Sequence, residues 1–298
     1  MALLTGYLAL AGRTLGLGFE RPLIKSLGKG RNSIAACTLY FGLGELMLIP
    51  VFAWQWAHDP GYAAQIGAWI LPALITGVIY AISFHTYVYA MSVGEVSYLA
   101  PLYATAFIWL YMLDVVFGNA HLAAVPISGI ALVSLGFIFL NLAPGRSVRE
   151  ALKTTWTLHQ PGTWGMLVYS FGLATARMVD KSAADIAPPV LYAFLNNSLS
   201  VLAGLAILAW QGRGGTIPAL FRERGWVALI GAVAGMGAYV LMLVAIDYFN
   251  PSVVEPVTQL SVFLAMGLGA WWFGEKIHTR LWAALFMLVG AYLLIAGR

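Results

Sequence analysis

The feature that most constrains this chain is a series of ten apolar runs, each about twenty residues long, joined by short polar links. A helix needs about 20 mostly apolar residues to cross the hydrocarbon core of a bilayer, where only helices and closed barrels satisfy their own backbone polar groups. The runs therefore predict an all-α membrane protein with ten transmembrane helices. We place the spans at 3–24, 33–54, 66–91, 97–117, 122–142, 163–183, 189–210, 226–247, 252–273 and 280–297.

Composition excludes a soluble globular domain. Of the 298 residues, 61% are hydrophobic and only 9% are charged, whereas a soluble domain carries roughly 25% charged residues. The single Cys37 has no partner for an intrachain disulfide or a cysteine-based metal site. The sequence has no zinc-ligand spacing, phosphate-binding glycine loop or basic patch interleaved with aromatic residues. We therefore expect no metal, no cofactor and no nucleic-acid partner. The N-terminus also lacks the basic leader of a cleavable signal peptide.

Three short motifs recur in the same order, at a spacing of about 155 residues. A repeat of this length in so apolar a chain indicates a duplicated membrane bundle. The paired motifs are Ala-Trp-Gln at 53 and 209, Phe-Gly at 117 and 273, and Ser-x-x-x-Pro at 97 and 252.

The repeat divides the chain into two halves of five spans each. We predict a first repeat over residues 1–143, a connecting loop over 144–162 and a second repeat over 163–298. Because five is odd, the second repeat enters the membrane from the opposite side. The two halves are then inverted repeats, an architecture that recurs among transporters and places the substrate between the halves.

The lysine and arginine residues predict the orientation of the bundle. Of the 16 in the chain, three lie on one membrane face (Arg177, Lys181 and Arg298) and Arg13 lies in mid-span. Positively charged loops stay in the cytoplasm, so we predict an inner-membrane protein with both termini outside. The other twelve share the predicted cytoplasmic face: Arg21, Lys25, Lys29, Arg31, Arg146, Arg149, Lys153, Arg213, Arg222, Arg224, Lys276 and Arg280.

The second half runs from Asn-Pro-Ser-Val-Val-Glu-Pro at 250–256, through a helix of small residues, to Phe-Gly-Glu-Lys at 273–276. This pattern resembles the repeat unit of the drug/metabolite transporter superfamily, in its EamA-type ten-helix branch. The first half carries a degenerate copy, with Phe-Gly-Asn at 117–119. The resemblance implies two five-helix bundles, a central cavity and alternating access. Such proteins commonly have cytoplasmic termini, whereas the charge distribution here predicts the reverse, and we keep the charge prediction.

Arg13 is the most informative ionisable residue, because a charge near mid-bilayer is costly and suggests function. Small multidrug transporters, four-helix relatives in the same superfamily, have a similar first helix with an essential glutamate at about this depth. An arginine there suits a carboxylate or phosphate, which its planar fork binds bidentately. The alternative is a structural arginine paired with Glu45 or Glu20.

Glu45 and His85 are the candidate proton-coupling residues. Glu45 lies in the middle of the second span, and it either exchanges a proton or pairs with Arg13. His85 lies in the third span, where an imidazole either titrates near neutral pH or forms a neutral hydrogen bond between helices.

Aromatic and amide side chains complete the predicted substrate site. Tyr80, Phe84 and Tyr87 are spaced by four and three residues, which predicts either an aromatic cavity wall or ordinary packing. Asn196 and Asn197 point about 100° apart on one helix, so one can line the cavity while the other bridges helices. The pair resembles an asparagine pair at the site of nucleotide-sugar transporters.

Two charged clusters are candidate gates. Arg177, Asp180 and Lys181 are spaced i, i+3 and i+4, which favours an internal salt bridge. Glu20 and Arg21 occupy the corresponding part of the first repeat. Both clusters are either gate pairs or interfacial anchors whose long side chains reach the headgroups.

We predict a secondary transporter that moves a small metabolite, with an amino acid or similar amphipathic carboxylate, exported, as the first candidate. The alternatives are a flippase or exchanger for a lipid-linked, nucleotide-linked or phosphorylated sugar, and a membrane subunit that transports nothing. The sequence lacks HExxH, GxSxG within a span and clustered aspartates, so we expect no enzyme.

Overall fold

The computed structural model of the protein describes residues 2–58, 66–117, 121–142, 149, 160–183, 186–187, 189–246, 248–249, 254 and 257–296. All regular elements in these ranges are helical. Most of the predicted connecting loop lies outside them. The helices are α1 Ala2–Gly28, α2 Ser33–His58, α3 Ile66–Val93, α4 Val96–Leu102, α5 Thr105–Val116, α6 Ala124–Leu140, α7 Thr163–Lys181, α8 Pro189–Trp210, α9 Thr216–Ile246, α10 Ser261–Phe273 and α11 His278–Ala296.

Five helical stretches of the described chain are long and apolar enough to cross a membrane, which makes this a membrane protein. Three more are apolar but shorter, namely Ala124–Leu140, Val257–Phe273 and Arg280–Ala296. The long helices α1 and α7 are the least apolar, since they carry the ionisable residues predicted for the site. The count of ten spans and the inverted relation of the halves stay predictions. The five stretches are Ser33–His58, Ile66–Val93, Val96–Val116, Val190–Trp210 and Thr216–Met242.

The predicted span 97–117 is one crossing made of two helices. It breaks at Tyr103 and Ala104, whose N–H groups donate to Ala100 and Pro101 across three residues instead of four. A similar turn at Leu260 precedes α10. Both halves thus have an interrupted helix at the corresponding position.

Helices from the two halves interdigitate, and the largest contacts join α6 to α11, α1 to α9 and α3 to α7. The α6–α11 contact is a close approach of two backbones, because a Cβ atom added to Gly129 would lie 2.7 Å from the Gly290 carbonyl oxygen. Small residues permit this approach within a membrane.

The end of α1 meets the link after α10 through the Lys25–Glu275 ion pair, and the start of α4 meets the same carboxylate through the N–H groups of Val96 and Ser97. The Arg31–Glu223 ion pair brings the first turns of α9 to the same end of the bundle. We call this end the basic face. It is the face predicted to be cytoplasmic.

Candidate functional site

Arg13 lies at the contact between the two halves. It is 6% exposed on α1. Its Nε donates to Thr258 Oγ1 at 3.0 Å and its Nη1 donates to the Ala238 carbonyl at 3.4 Å. Because both acceptors belong to the second half, the guanidinium is positioned by residues far apart in the chain.

Glu45 is bound elsewhere. It is buried on α2, and Ser198 on α8 donates to its Oε2 at 3.2 Å. Asn197 lies beside the same carboxyl group. The other carboxylate oxygen of Glu45, Oε1, has no hydrogen-bond partner among the described residues. No ion pair joins Glu45 to Arg13 within the described chain, so that proposed pairing is absent from this structure.

Glu20 and Arg21, the first predicted gate pair, contact aromatic residues. Tyr40 donates to Glu20 Oε1 at 2.5 Å, and Arg13 and Arg21 are within electrostatic reach of the same carboxyl. The Arg21 guanidinium lies 5.8 Å from the centre of the Tyr103 ring. The neighbouring charges are thus held by separate aromatic partners.

Asp180 does not form the salt bridge that its spacing from Arg177 favours. Tyr80 on α3 donates to its Oδ2 at 2.6 Å, and Tyr192 on α8 donates to its Oδ1 at 2.7 Å. Arg177 instead donates to the Tyr103 hydroxyl at 3.4 Å. Two tyrosines from other helices bind the carboxylate, and Arg177 acts on it at longer range. The side chain of Lys181 lies outside the described part of the structure.

The hydrogen bonds at Asp180 continue into α8. The Tyr192 hydroxyl lies 3.0 Å from Thr76 Oγ1, which donates to Asn196 Oδ1 at 3.1 Å. Asn196 therefore bridges α8 to α3, whereas the half-buried Asn197 faces Glu45.

The predicted aromatic residues belong to one cluster. Phe84 stacks on Tyr80 at 5.2 Å and on Phe41 at 4.5 Å, and Tyr87 stacks on Tyr169 at 4.6 Å between ring centroids. Phe41 and Tyr169 could not be selected from the sequence, because an aromatic residue within an apolar span is equally typical of ordinary packing.

His85 lies apart from this cluster, where α3 meets α8. Its Nδ1 is 2.7 Å from the carbonyl oxygen of Ala81 in its own helix. Its Nε2 faces Gly204 and has no partner among the described residues. The expected hydrogen bond between helices is therefore absent from the described chain.

Four polar side chains lie within about 6 Å of one another in depth along the bundle. A helix rises 1.5 Å per residue, so the distance of each residue from the basic-face end of its own helix can be counted. For α9 the count starts at Gly225, after the kink at Arg224. The distances are roughly 20 to 22 Å for Tyr80, Tyr239 and Arg13 and roughly 26 Å for Asp180. Tyr239 on α9 is within electrostatic reach of both Arg13 and Asp180. We call these four residues the central layer. Tyr239 was missed because nothing in its apolar surroundings distinguishes it in the sequence.

A small void lies between α5 and α7, and none of the central-layer residues lines it. Its volume of about 10 Å³, next to Arg177 and Tyr103, is room for about one water molecule.

The basic face is closed by a buried ion pair that the sequence did not predict. Lys25 Nζ lies 2.6 Å from Glu275 Oε1, and the two side chains are 8% and 4% exposed. The N–H groups of Val96 and Ser97, at the start of α4, donate to the Glu275 carboxylate at 3.0 and 2.7 Å. We call Lys25, Glu275 and these two N–H groups the basic-face clamp.

Local structure explains why Glu275 reaches this position. Gly274 ends α10 with a φ of 67°, a left-handed conformation that glycine adopts without steric cost. Burial raises the pKa of Glu275, but hydrogen bonds from Lys25 and Ser97 outweigh it, so the pKa falls below its usual value. The carboxyl is therefore ionised at neutral pH.

Comparison with known proteins adds one finding. Residues 160–297, which comprise α7 to α11, match the EamA-like transporter family. A search of curated proteins found no match.

Proposed function

Since the second half of this chain belongs to the EamA-like transporter family, a family of membrane transporters of small molecules, we propose that it is a secondary transporter of the inner membrane. It exports a small amphipathic solute that bears a carboxylate, such as an amino acid. The two halves are inverted repeats, and access to the site between them alternates between the two membrane faces.

The observation that carries this proposal is the position of Arg13. It lies near the middle of α1, buried, and its hydrogen bonds cross from the first half to the second. Transporters of this architecture bind substrate near the midplane, between repeats. A guanidinium at that point binds a carboxylate bidentately.

Helix packing supports the relation between the halves. Exchanging the halves converts the α1–α9 contact into the α7–α3 contact, and both are among the largest in the bundle. The α6–α11 and α2–α8 contacts convert into themselves. A two-fold relation between the halves predicts this exchange of pairs.

Alternating access accounts for the clamp. The clamp holds α1, the start of α4 and the link after α10 together at the basic face. Opening that face separates Lys25 from Glu275, and opening the central layer separates the stacked aromatic rings. Glu45, whose second oxygen has no partner among the described residues, is the candidate for proton coupling.

Transport by purified protein in proteoliposomes tests this function. A panel of amino acids, nucleotide sugars and phosphorylated metabolites identifies the substrate. Replacing Arg13→Ala should then lower transport roughly 10- to 100-fold, the range for loss of a hydrogen-bonded charge. Arg13→Lys should rescue poorly because a point charge lacks the fork geometry.

The matched control is Thr258→Val, which removes the Nε acceptor but keeps the guanidinium. It should retain most transport. Full transport by a folded Arg13→Ala variant would exclude the binding role, and transport of a nucleotide sugar in preference to every amino acid would exclude the substrate class.

A further inference from the structure

We infer that Asp180, with Tyr80 and Tyr192, forms a subsite for the ammonium group of the substrate, so that the transported solute is a zwitterion. This inference rests on the proposed function, and it adds a second charge requirement to the carboxylate bound by Arg13.

Asp180 has no direct cationic partner among the described residues. Its hydrogen-bond donors at 2.6 and 2.7 Å are neutral tyrosine hydroxyls from two different helices. The Thr76 hydroxyl is a further hydrogen-bonding neighbour, and Arg177 acts on the carboxylate at longer range. A carboxylate offers about four lone-pair sites, which these hydroxyls do not fill. An ionisable side chain within a bundle is costly unless it is paired. A ligand cation completes the pairing.

The side chain is also accessible. Asp180, Tyr80 and Tyr192 are each half-buried. The Tyr80 ring stacks on Phe84, so an aromatic surface adjoins the carboxylate. Aromatic faces attract ammonium groups as well as apolar side chains.

The two proposed charge subsites lie on opposite halves of the molecule. Arg13 is on α1 and Asp180 on α7, which are the first helices of the two predicted repeats. Tyr239 lies within electrostatic reach of both. A zwitterion with its carboxylate at Arg13 and its ammonium at Asp180 therefore contacts both halves at once.

A pair of ligands that differ only in the ammonium group provides the test. L-Phenylalanine and 3-phenylpropionate share a carboxylate and a ring. Their binding to the purified full-length protein is measured by calorimetry, in potassium buffer free of sodium. The wild type should prefer L-phenylalanine by roughly tenfold or more, the range for a charge-assisted hydrogen bond.

Asp180→Asn should remove this preference while binding of 3-phenylpropionate stays within about threefold. The matched variant is Glu223→Gln, which neutralises an exposed carboxylate at the basic face, outside the subsite. It should retain the preference. Thermal unfolding checks that both variants are folded.

Three results would overturn the subsite but leave carboxylate transport intact: equal binding of the two ligands by the wild type, an unchanged preference in Asp180→Asn, or a sodium-dependent increase in binding of both ligands that Asp180→Asn abolishes. The last result would assign Asp180 to a sodium ion. If the wild type binds neither ligand and no other amino acid, the proposed function fails and this inference fails with it.

Discussion

Glu275 at the basic face and Asp180 in the central layer are both carboxylates that join helices of the two halves, but they are held by different chemistry. Glu275 receives an ammonium and two backbone N–H groups. Asp180 receives two phenolic hydroxyls, with no cation within ion-pair distance among the described residues. The first is fully paired and the second retains capacity for a ligand. Glu20, bound by Tyr40, belongs with Asp180. The polar contacts of this bundle thus divide into closed ones and open ones.

Breaking the closed contact should have the largest effect. Lys25→Ala leaves the Glu275 carboxylate buried without its cation, and loss of one partner of a buried pair costs about 3–5 kcal/mol. We expect a large fall in the unfolding temperature in detergent. Arg31→Ala is the matched control, because the Arg31–Glu223 pair has similar geometry but is exposed. It should leave the unfolding temperature unchanged. Equal effects of the two variants would contradict the contrast.

The contact between Tyr40 and Glu20 should be sensitive to the addition of a single methyl group beside it. A Cβ atom added at Gly235 would lie 1.8 Å from the Tyr40 hydroxyl oxygen and 2.9 Å from Glu20 Oε1. Gly235→Ala should therefore cost about 1–3 kcal/mol through overpacking. Gly237→Ala, on the same helix with nothing within 4 Å of its added Cβ, should cost no stability. Thermal unfolding of the two variants makes the comparison, and a stable Gly235→Ala would show that this contact is loosely packed.

The pH dependence of the clamp should be the smallest effect. Since the pKa of Glu275 is lowered in the folded protein, its ionised form stabilises the fold above the usual value of 4.5. That contribution is lost as the pH falls through the lowered folded-state pKa. The difference in unfolding temperature between wild type and Glu275→Gln should be constant from about pH 6 to 8 and shrink below about pH 4.5. A difference that grows in acid would reverse the assigned sign.

Apolar length made much of the fold predictable. The predicted span 33–54 lies within α2, and the predicted span 189–210 coincides with α8. The breaks were not predictable in this way. Residues 97–117 read as one apolar run, yet the chain turns at Tyr103, because a turn in the middle of a bundle depends on what its neighbours supply to the freed backbone groups.

The candidate site was also predictable only in part. Ionisable residues in apolar runs were identifiable singly, so Arg13, Glu45 and Asp180 were found. Their partners were not, because partners come from distant parts of the chain. The spacing of Arg177 and Asp180 favours a local pair, but Tyr80, a hundred residues away, provides a shorter bond. Glu275 was noted only as part of a motif, since nothing local indicates that Lys25 faces it.

The basic-face clamp has a consequence for the energetics of the transport cycle. Two identical inverted repeats would make the inward-open and outward-open conformations equal in free energy, apart from the membrane around them. In this chain the position of Glu275 in the second half is occupied by Asn119 in the first. An amide cannot form the matching ion pair at the opposite face. Under the proposed alternating access, the Glu275 carboxylate therefore favours the conformation in which the basic face is closed, and binding of the solute must supply the free energy that opens it.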